Sequence, residues 1–549
     1  MPSSWMSIFL AFVFVACKKD KPLAVDVYSI NPGEVIIEKD NPYLTTLQLL
    51  KNGEPVDATT VVWKSQDENT VFVDESSGVL YANWAGQTVV IAYDENATEL
   101  ARCSVTVTDA NVYKLRLKLK DKGSQDAFSL NRPSDFLSEK AISRRNRHQI
   151  EIDEDDLPIS VDYLDKITNV GCAIVAKSKW LATVSVHCNN GSFLDRYRDL
   201  PFVEDIEIVW KRSQKHYYKP EDGSWSFPGS WNGVAPSIPI GKDTTVYGQA
   251  YENIKLHNGH FLHQKGYKGQ GMNIAVIDAR FQNIDQNSLL DNIYVLGAKS
   301  FVYEQPSPFA EDDHGVWVLS CMAGAKPSQY VGTAPEAAYL LLATEDMETE
   351  YPIEEDYFVQ ALEYADSVGV DIVNSSLYYT EYYDGTRHSY EALDGNTAHA
   401  SRGANMASAK GILVVTAAGN NGDFVGTPAD SPEVIAVGMI NRYGDVNEMS
   451  ARGMTVDGRI KPDVAVLGAG AYRITAHGTI DFSFGTSYAS PVMAGMAACL
   501  WQAFPHLTNK QIAEVIRQSG DRHEKPVLPY GHGIPDMQKA YELASVLPR

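Results

Sequence analysis

The period of the hydrophobic positions changes along this 549-residue chain, and the changes divide it into three regions. Residues 25–110 carry short apolar runs between turn signals, and residues 112–211 combine alternating runs with helical periods. From residue 245 onward, continuous apolar runs alternate with helical periods. This pattern predicts three folded regions, which agrees with a chain long enough for three or four domains.

The first region predicts a β-sandwich, because its β-prone runs are short and are separated by Gly, Asn and Ser. Val71, Val73 and residues 88–92 favour strands, and residues 103–108 alternate cleanly. Trp63 and the turn signals after it resemble a bacterial Ig-like module. We expect a spacer or binding role for residues 25–110 and no chemistry.

The second region predicts an α+β unit with the order β-α-β-β-α-β, as in a ferredoxin-like fold. Residues 113–119 alternate strictly, which indicates a half-buried strand. The other predicted elements are helices at 138–147, 161–167 and 192–199 and strands at 172–175, 181–186 and 203–209. Residues 212–244 are rich in Pro and Gly and predict a linker.

The third region, residues 245–549, predicts a doubly wound α/β fold with a parallel sheet. The buried-strand runs are residues 273–277, 338–342, 370–373, 412–415 and 434–437. Helical spacing from Phe358 to Val368 and a capping box at Thr508 and Gln511 indicate helices between and after them. Active sites of such folds lie at the carboxyl ends of the strands.

The N-terminus predicts export. Residues 7–16 form an apolar run that is too short for a membrane span and suits a signal peptide. Cys17 closes this run in a manner that resembles a bacterial lipoprotein cleavage site, so we expect residues 1–17 to be the signal and Cys17 to be lipidated. The protein would then lie outside the cytoplasm as a periplasmic, outer-membrane or cell-surface lipoprotein. A plain secretory signal and a buried cysteine are the alternatives.

Charge and cysteine usage exclude other classes of function. The net charge of −23 disfavours nucleic-acid binding. The six cysteines include no Cys-x-x-Cys pair, which argues against a structural zinc module. Cys172 and Cys188 are candidate disulfide partners across a hairpin in an oxidising compartment.

Three polar residues stand where the fold places chemistry. Asp278 ends the first apolar strand, His314 precedes an apolar helix, and Ser487 lies just before the helix predicted at 492–504, with Pro491 in its first turn. A serine hydroxyl becomes a nucleophile when a histidine accepts its proton, and a buried carboxylate orients that histidine. Asn420 follows the strand at 412–415 and is a candidate donor to an oxyanion.

These motifs resemble the subtilisin-like serine peptidases, over about residues 245–545. The resemblance implies a triad of Asp278, His314 and Ser487, with Asn420 in the oxyanion hole. It implies a protein or peptide substrate, no cofactor for the chemistry, and an inhibitory pro-domain at residues 112–211. It further implies that the substrate contacts Ser375, Ser376, Leu377, Tyr378, Ala417, Ala418 and Gly419.

Three positions depart from the family pattern. Ala279 and Arg280 replace a hydroxyl residue and a glycine after Asp278, so hydroxyl support for the carboxylate is lost and a cation lies nearby. Tyr378 replaces a glycine, and its ring is expected to narrow the P1 pocket. The alternative function is therefore a non-catalytic subtilase that binds other surfaces through its Ig-like module.

Metal binding is a secondary expectation. Acidic runs at 311–313 and 345–355 are either calcium sites, as in many subtilases, or solvated faces. His257, His260 and His263 are interpreted as packing or solvent-exposed histidines, because a zinc site also needs a fourth ligand and groups that orient the ligands.

Overall fold

The structure is a computed structural model that describes residues 26–39, 44–109, 111–124, 128–213, 244–383 and 385–548. The signal segment, Cys17 and most of the 212–244 linker lie outside the described residues. The chain forms two compact units, Met1–Ala110 and Asn111–Arg549. Among the described residues, no helix combines the length and the apolar character that a membrane crossing requires.

The first unit consists of strands, as the short β-prone runs predict. Trp63 is 2% exposed at the centre of its apolar core, together with Val71, Val90 and Val105. The strands form three sheets, in the orders β1-β4-β5, β2-β10-β9-β6 and β3-β8-β7. They are β1 (Tyr28–Asn31), β2 (Glu34–Glu38), β3 (Thr45–Thr46), β4 (Gln48–Lys51), β5 (Glu54–Pro55), β6 (Val62–Ser65), β7 (Val71–Val73), β8 (Val79–Ala82), β9 (Gly86–Tyr93) and β10 (Glu99–Thr108). The Ig-like assignment remains a prediction.

Residues 111–213 of the second unit, here called the upstream segment, form one antiparallel sheet with helices. The sheet order β12-β13-β11-β14 is that of a split β-α-β-β-α-β unit, as predicted. A disulfide joins Cys172 to Cys188. The elements are β11 (Asn111–Leu119), α1 (Glu139–His148), α2 (Val161–Asn169), β12 (Ala173–Ser178), β13 (Thr183–Cys188), α3 (Phe193–Arg198) and β14 (Val203–Ser213).

The prediction that β11 is half-buried is wrong. The alternating basic positions Lys114 and Arg116 are 0% and 8% exposed. Lys114 pairs with Glu304 at 2.7 Å, and Arg116 Nε donates to Asp356 at 2.8 Å. The polar face of the strand is therefore covered by acidic residues from residues 244–548 rather than by water.

Residues 244–548, here called the α/β segment, contain a seven-stranded parallel sheet in the order β16-β19-β15-β20-β21-β22-β25. Its strands are β15 (Asn273–Asp278), β16 (Tyr294–Ser300), β19 (Ala338–Ala343), β20 (Ile372–Ser375), β21 (Leu413–Ala417), β22 (Ile435–Ile440) and β25 (Val464–Leu467). The remaining strands form two-stranded ribbons: β17 (Ala325–Lys326), β18 (Tyr330–Val331), β23 (Gly453–Met454), β24 (Ile460–Lys461), β26 (Ala469–Ile474) and β27 (Ile480–Phe484).

Helices cover both faces of this sheet, as a doubly wound fold requires. One apolar core includes α6 and α9, and the other includes α7 and α8. The helices are α4 (Tyr251–Lys255), α5 (His260–Gln264), α6 (His314–Ala323), α7 (Ile353–Val368), α8 (His399–Ala409), α9 (Thr486–Ala503), α10 (Asn509–Ser519) and α11 (Met537–Ser545). The five predicted strands are all present, whereas the two outermost strands of the sheet, β16 and β25, were not predicted.

Candidate active site

The structure brings Asp278 and His314 together. Asp278 ends β15 and is fully buried, while His314 begins α6 and its side chain is 28% exposed. The His314 Nδ1 atom lies 2.6 Å from Asp278 Oδ1. Because an ionised carboxylate only accepts, Nδ1 carries the proton and Nε2 is left free as a base.

The surroundings of His314 favour its protonated form. Burial lowers the pKa of the ring, but the charge and hydrogen bond of Asp278, with Asp312 and Asp313 nearby, outweigh that effect. The pKa of His314 is consequently raised above its ordinary value of 6.5. This histidine can therefore hold a proton that it takes up during a reaction.

Ser487 lies in the first turn of α9, which begins at Thr486 rather than at residue 492 as predicted. Pro491 is accordingly inside the helix and not in its first turn. Because proline has no N–H, the Ser487 carbonyl lacks its usual helical donor, and the Ser376 hydroxyl donates to it instead at 2.8 Å. This bond ties the start of α9 to the chain that follows β20.

The Ser487 hydroxyl donates to the Ser376 carbonyl at 3.3 Å. Among the described residues, no hydrogen bond joins Ser487 to His314. The structure thus places the serine beside the substrate-binding strand predicted from the resemblance, with its hydroxyl turned toward Ser376.

Asn420 lies directly beyond the end of β21 and is oriented by Thr486. The Thr486 backbone N–H and hydroxyl donate to Asn420 Oδ1 at 2.9 and 3.0 Å. Because these bonds occupy the amide oxygen of Asn420, its Nδ2 group faces away from Thr486 and can donate to another acceptor. The sequence prediction did not include Thr486, although it stands in the Gly-Thr-Ser motif beside the serine.

The remaining predicted contact residues flank this site on two adjacent strands. Ser375 ends β20, and Ser376 follows it. Leu377 and Tyr378, the next two residues, are half-buried. On the neighbouring strand Ala417 and Ala418 are buried, and Gly419 donates to the Thr486 hydroxyl at 3.2 Å.

The environment of Asp278 shows the effect of the residues that follow it. Asp278 Oδ2 is buried and has no hydrogen-bond partner among the described residues, as the loss of a hydroxyl at position 279 predicts. The Arg280 side chain instead bonds to the Ala279 carbonyl and to Gln305. Its charge interacts with nearby acidic residues that include Glu345 and Glu354, and among the described residues no hydrogen bond joins it to Asp278.

That acidic cluster consists of Glu345, Glu350 and Glu354, whose oxygens lie within 4.8 Å of one another. Carboxylate oxygens are suitable calcium ligands. Burial also raises the pKa of Glu345 to about 8 and of Glu350 to about 7, and Glu345 accepts hydrogen bonds from Thr344 and Tyr379. Calcium binding at this cluster remains a prediction.

In the described part of the chain, His257, His260 and His263 do not belong to a group of side chains that could hold a metal ion. His257 contacts the Pro535 carbonyl, and His263 contacts Tyr247 and the Thr333 carbonyl. These two histidines have structural partners, in line with their interpretation as packing residues.

Comparison with known proteins assigns the two parts of the second unit. Residues 269–533 match the Subtilase family, and residues 114–222 match the Peptidase S8 propeptide domain of Bacteroidota. The chain is 29% identical to a subtilisin of Bacillus pumilus over 286 residues, which are 51% of this chain and 94% of that protein. It is 27% identical to the membrane-bound transcription factor site-1 protease of Rattus norvegicus over 308 residues, 52% of this chain and 26% of that protein.

Among solved structures, the epidermin leader peptide processing serine protease of Staphylococcus aureus superposes with a TM-score of 0.54. The match covers 80% of this chain and 100% of that chain at 15% identity, which shows a shared fold.

Proposed function

Since this chain belongs to the subtilase family of serine peptidases and carries a family propeptide, we propose that it hydrolyses peptide bonds through Asp278, His314 and Ser487. Asn420 supplies the oxyanion hole. The 2.6 Å contact between His314 and Asp278 carries this proposal, because it leaves Nε2 as the free base.

In the proposed reaction the Ser487 oxygen attacks the carbonyl carbon of a peptide bond, and His314 Nε2 takes the hydroxyl proton. The proton passes to the leaving amine as the carbon–nitrogen bond breaks, leaving an acyl-enzyme. Water then attacks the ester with His314 as base, which releases the acid and restores the serine. Asp278 holds the ring in position and stabilises its charged form.

Negative charge that develops on the substrate oxygen meets two donors. The Asn420 amide is free to donate because Thr486 engages its oxygen, and the backbone N–H of Ser487 belongs to the first turn of α9, where no helical acceptor is available. Both groups are held before the substrate arrives, which is the condition for effective oxyanion stabilisation.

A non-catalytic binding protein is the alternative, and the Ser487 hydroxyl bond to Ser376 favours it. This bond is long and involves a single rotatable hydroxyl group. Rotation about χ1 of Ser487 moves the oxygen between staggered positions at small cost, so the observed bond is compatible with catalysis.

Labelling with a fluorophosphonate probe separates these two functions. We expect the probe to modify Ser487 in the processed full-length protein, as located by mass mapping, and expect casein to be cleaved. Ser487→Ala should abolish both, with a loss of about 10⁶-fold in kcat. Ser545→Ala, on the surface of α11, is the matched control and should retain wild-type activity. Equal casein turnover by wild type and Ser487→Ala would end the enzymatic proposal.

The propeptide domain is made as part of the precursor, and we propose that it inhibits the peptidase before release. Its contacts follow one acidic row on α7, formed by Asp356, Glu363 and Asp366 at spacings of seven and three. The Ser185 hydroxyl donates to Asp356 at 2.7 Å, and the Trp180 N–H donates to Glu363 at 3.0 Å. Charge-assisted bonds of this kind give the inhibitor a specific docking register.

We further propose that the protein is exported and anchored through a lipid on Cys17, with residues 25–110 as an Ig-like spacer. Cleavage in the 212–244 linker would then separate the peptidase from its anchor, and the propeptide contacts would decide whether it leaves. N-terminal sequencing of membrane-bound and released fractions tests this order. A single uncut chain that begins at Cys17 would refute it.

A further inference from the structure

The ring of Tyr378 lies against two glycines of the active-site region. A Cβ atom built on Gly419 would lie 3.3 Å from Cδ2 and 3.4 Å from Cε2 of the ring. A Cβ atom built on Gly426 would lie 3.2 Å from the same Cδ2 atom. One edge of the ring therefore contacts both glycines and fills the space between them.

Hydrogen bonds hold the backbone on both sides of Tyr378. The Ser376 hydroxyl donates to the Ser487 carbonyl at 2.8 Å, and the Tyr379 N–H donates to the Thr427 carbonyl at 2.9 Å. The Thr427 N–H returns a bond to Tyr379 at 3.2 Å. These bonds restrain the chain on both sides of the Tyr378 ring.

In the proposed reaction, one substrate residue supplies the carbonyl of the bond that is cut. The side chain of that residue lies in this space. The carbonyl lies between the Ser487 hydroxyl and the Asn420 amide during attack. Its own side chain branches one bond away, next to Gly419, which directly precedes Asn420 in the chain. A large side chain there would have to lie on the surfaces of Gly419 and Gly426 that the Tyr378 ring already covers.

We propose that Tyr378 closes the P1 pocket and restricts this peptidase to bonds that follow small residues, namely alanine, glycine or serine. The inference rests on the proposed function and specifies its substrate class. Tyr378 selects by exclusion and takes no part in the chemistry, since a filled cavity rejects larger groups whatever their polarity.

Peptide p-nitroanilides that differ only at P1 test this inference in the processed full-length protein. We expect wild-type kcat/KM to be at least 10-fold higher for alanine than for phenylalanine at P1. Tyr378→Ala should raise kcat/KM for the phenylalanine substrate by about 10- to 200-fold, which is the range that contacts in a hydrophobic pocket produce. It should change kcat/KM for the alanine substrate by less than about 3-fold. Tyr378→Phe keeps the ring and should keep the wild-type preference.

Tyr443→Ala, at an 83% exposed tyrosine, is the matched control and should leave both values unchanged. A wild-type enzyme that prefers phenylalanine or leucine at P1 overturns the inference and leaves the proposed function intact. The P1 preference of the wild-type enzyme tests the inference even if Tyr378→Ala does not fold. If the probe fails to label Ser487 and no substrate is cleaved, the proposed function fails, and the inference fails with it.

Discussion

The two ends of the parallel sheet differ in whether their buried polar groups have hydrogen-bond partners. At the carboxyl end, three buried oxygens at the ends of β15, β20 and β21 have no hydrogen-bond partner among the described residues: Asp278 Oδ2, Ser375 Oγ and Thr416 Oγ1. At the amino end, Arg144 and Arg145 of the propeptide helix α1 reach the Lys410 carbonyl, which follows α8.

At the amino end, Arg145 also takes part in a network of buried ion pairs. Arg145 also pairs with Asp156 and Asp366 at 2.8 and 2.9 Å, and Lys410 pairs with Asp156 at 3.0 Å. Cations placed at helix C-termini stabilise the free carbonyls there. The arginines of α1 therefore bind the end of the sheet that lies away from the candidate active site. Other parts of the propeptide contact residues beyond the carboxyl ends of the strands, as Lys114 does with Glu304 and Arg212 with Glu348. Variants at the two ends should have separable effects.

After that of Ser487→Ala, the largest expected effect is also at the carboxyl end. Asp278→Asn preserves the shape of the side chain but removes the charge that orients His314, so we expect kcat to fall by about 10⁴-fold. Steady-state kinetics on a peptide substrate measures this. Unchanged kcat would show that Asp278 is not part of the catalytic machinery.

Asn420→Ala removes one oxyanion donor and should lower kcat by about 10²- to 10³-fold, with little change in KM. The comparison with Asn421→Ala, the next residue in the chain, controls for changes in this loop. A selective rise in KM would instead assign Asn420 to substrate binding.

At the amino end, Arg145→Ala leaves Asp366 and Asp156 facing each other without their shared cation. We expect the cleaved propeptide to bind the peptidase at least about 30-fold more weakly, because breaking a buried charge pair costs about 2 kcal/mol or more. The peptidase itself is unaltered, because residue 145 is absent from it after cleavage in the 212–244 linker. Arg147→Ala, on an exposed position of the same helix, should leave the affinity unchanged.

A competition assay with isolated propeptide measures that affinity. If Arg145→Ala left this affinity unchanged, the contacts of Arg145 at the amino end of the sheet would not hold the propeptide on the peptidase.

The pH dependence should report His314. The neutral ring is the base, so activity is lost as the pH falls through the raised pKa of His314, and the acid limb of kcat/KM should have its midpoint above 6.5. Asp278→Asn removes the charge that raises this pKa, so burial should then shift the midpoint of its residual activity to lower pH. A midpoint below 6.5 in the wild type would contradict the environment described for this ring.

The smallest expected effect is a gain. Ala279→Ser adds a hydroxyl beside the unpartnered Asp278 Oδ2 and should raise kcat by a few-fold. The added hydrogen bond exists in both the ground state and the transition state, and only the difference between the two changes kcat. Ala279→Val adds bulk without a donor and is the control. An equal effect of both substitutions would attribute the change to packing.

Local signals in the sequence sufficed for the parts of the fold that obey short-range rules. Continuous apolar runs predicted the five central strands, because a strand covered on both faces is apolar at every position. The capping box at Thr508 and Gln511 is present at the start of α10. The same logic failed for β16, which is interrupted by Gly297 and Lys299. The strand β25 was missed although, like the predicted β20, it is a buried run of four residues.

The apolar runs in the sequence were enough to place side chains at the ends of the central strands, and so to predict where Asp278 and Asn420 lie. The residues that cover each face and end of these elements became known from the three-dimensional structure. Tertiary contacts buried the polar face of β11 against Glu304 and Asp356, began α9 at Thr486, and joined Arg280 to Gln305. These outcomes depend on charge pairs and contacts between residues far apart in the chain, and a local pattern of polarity carries no information about such partners.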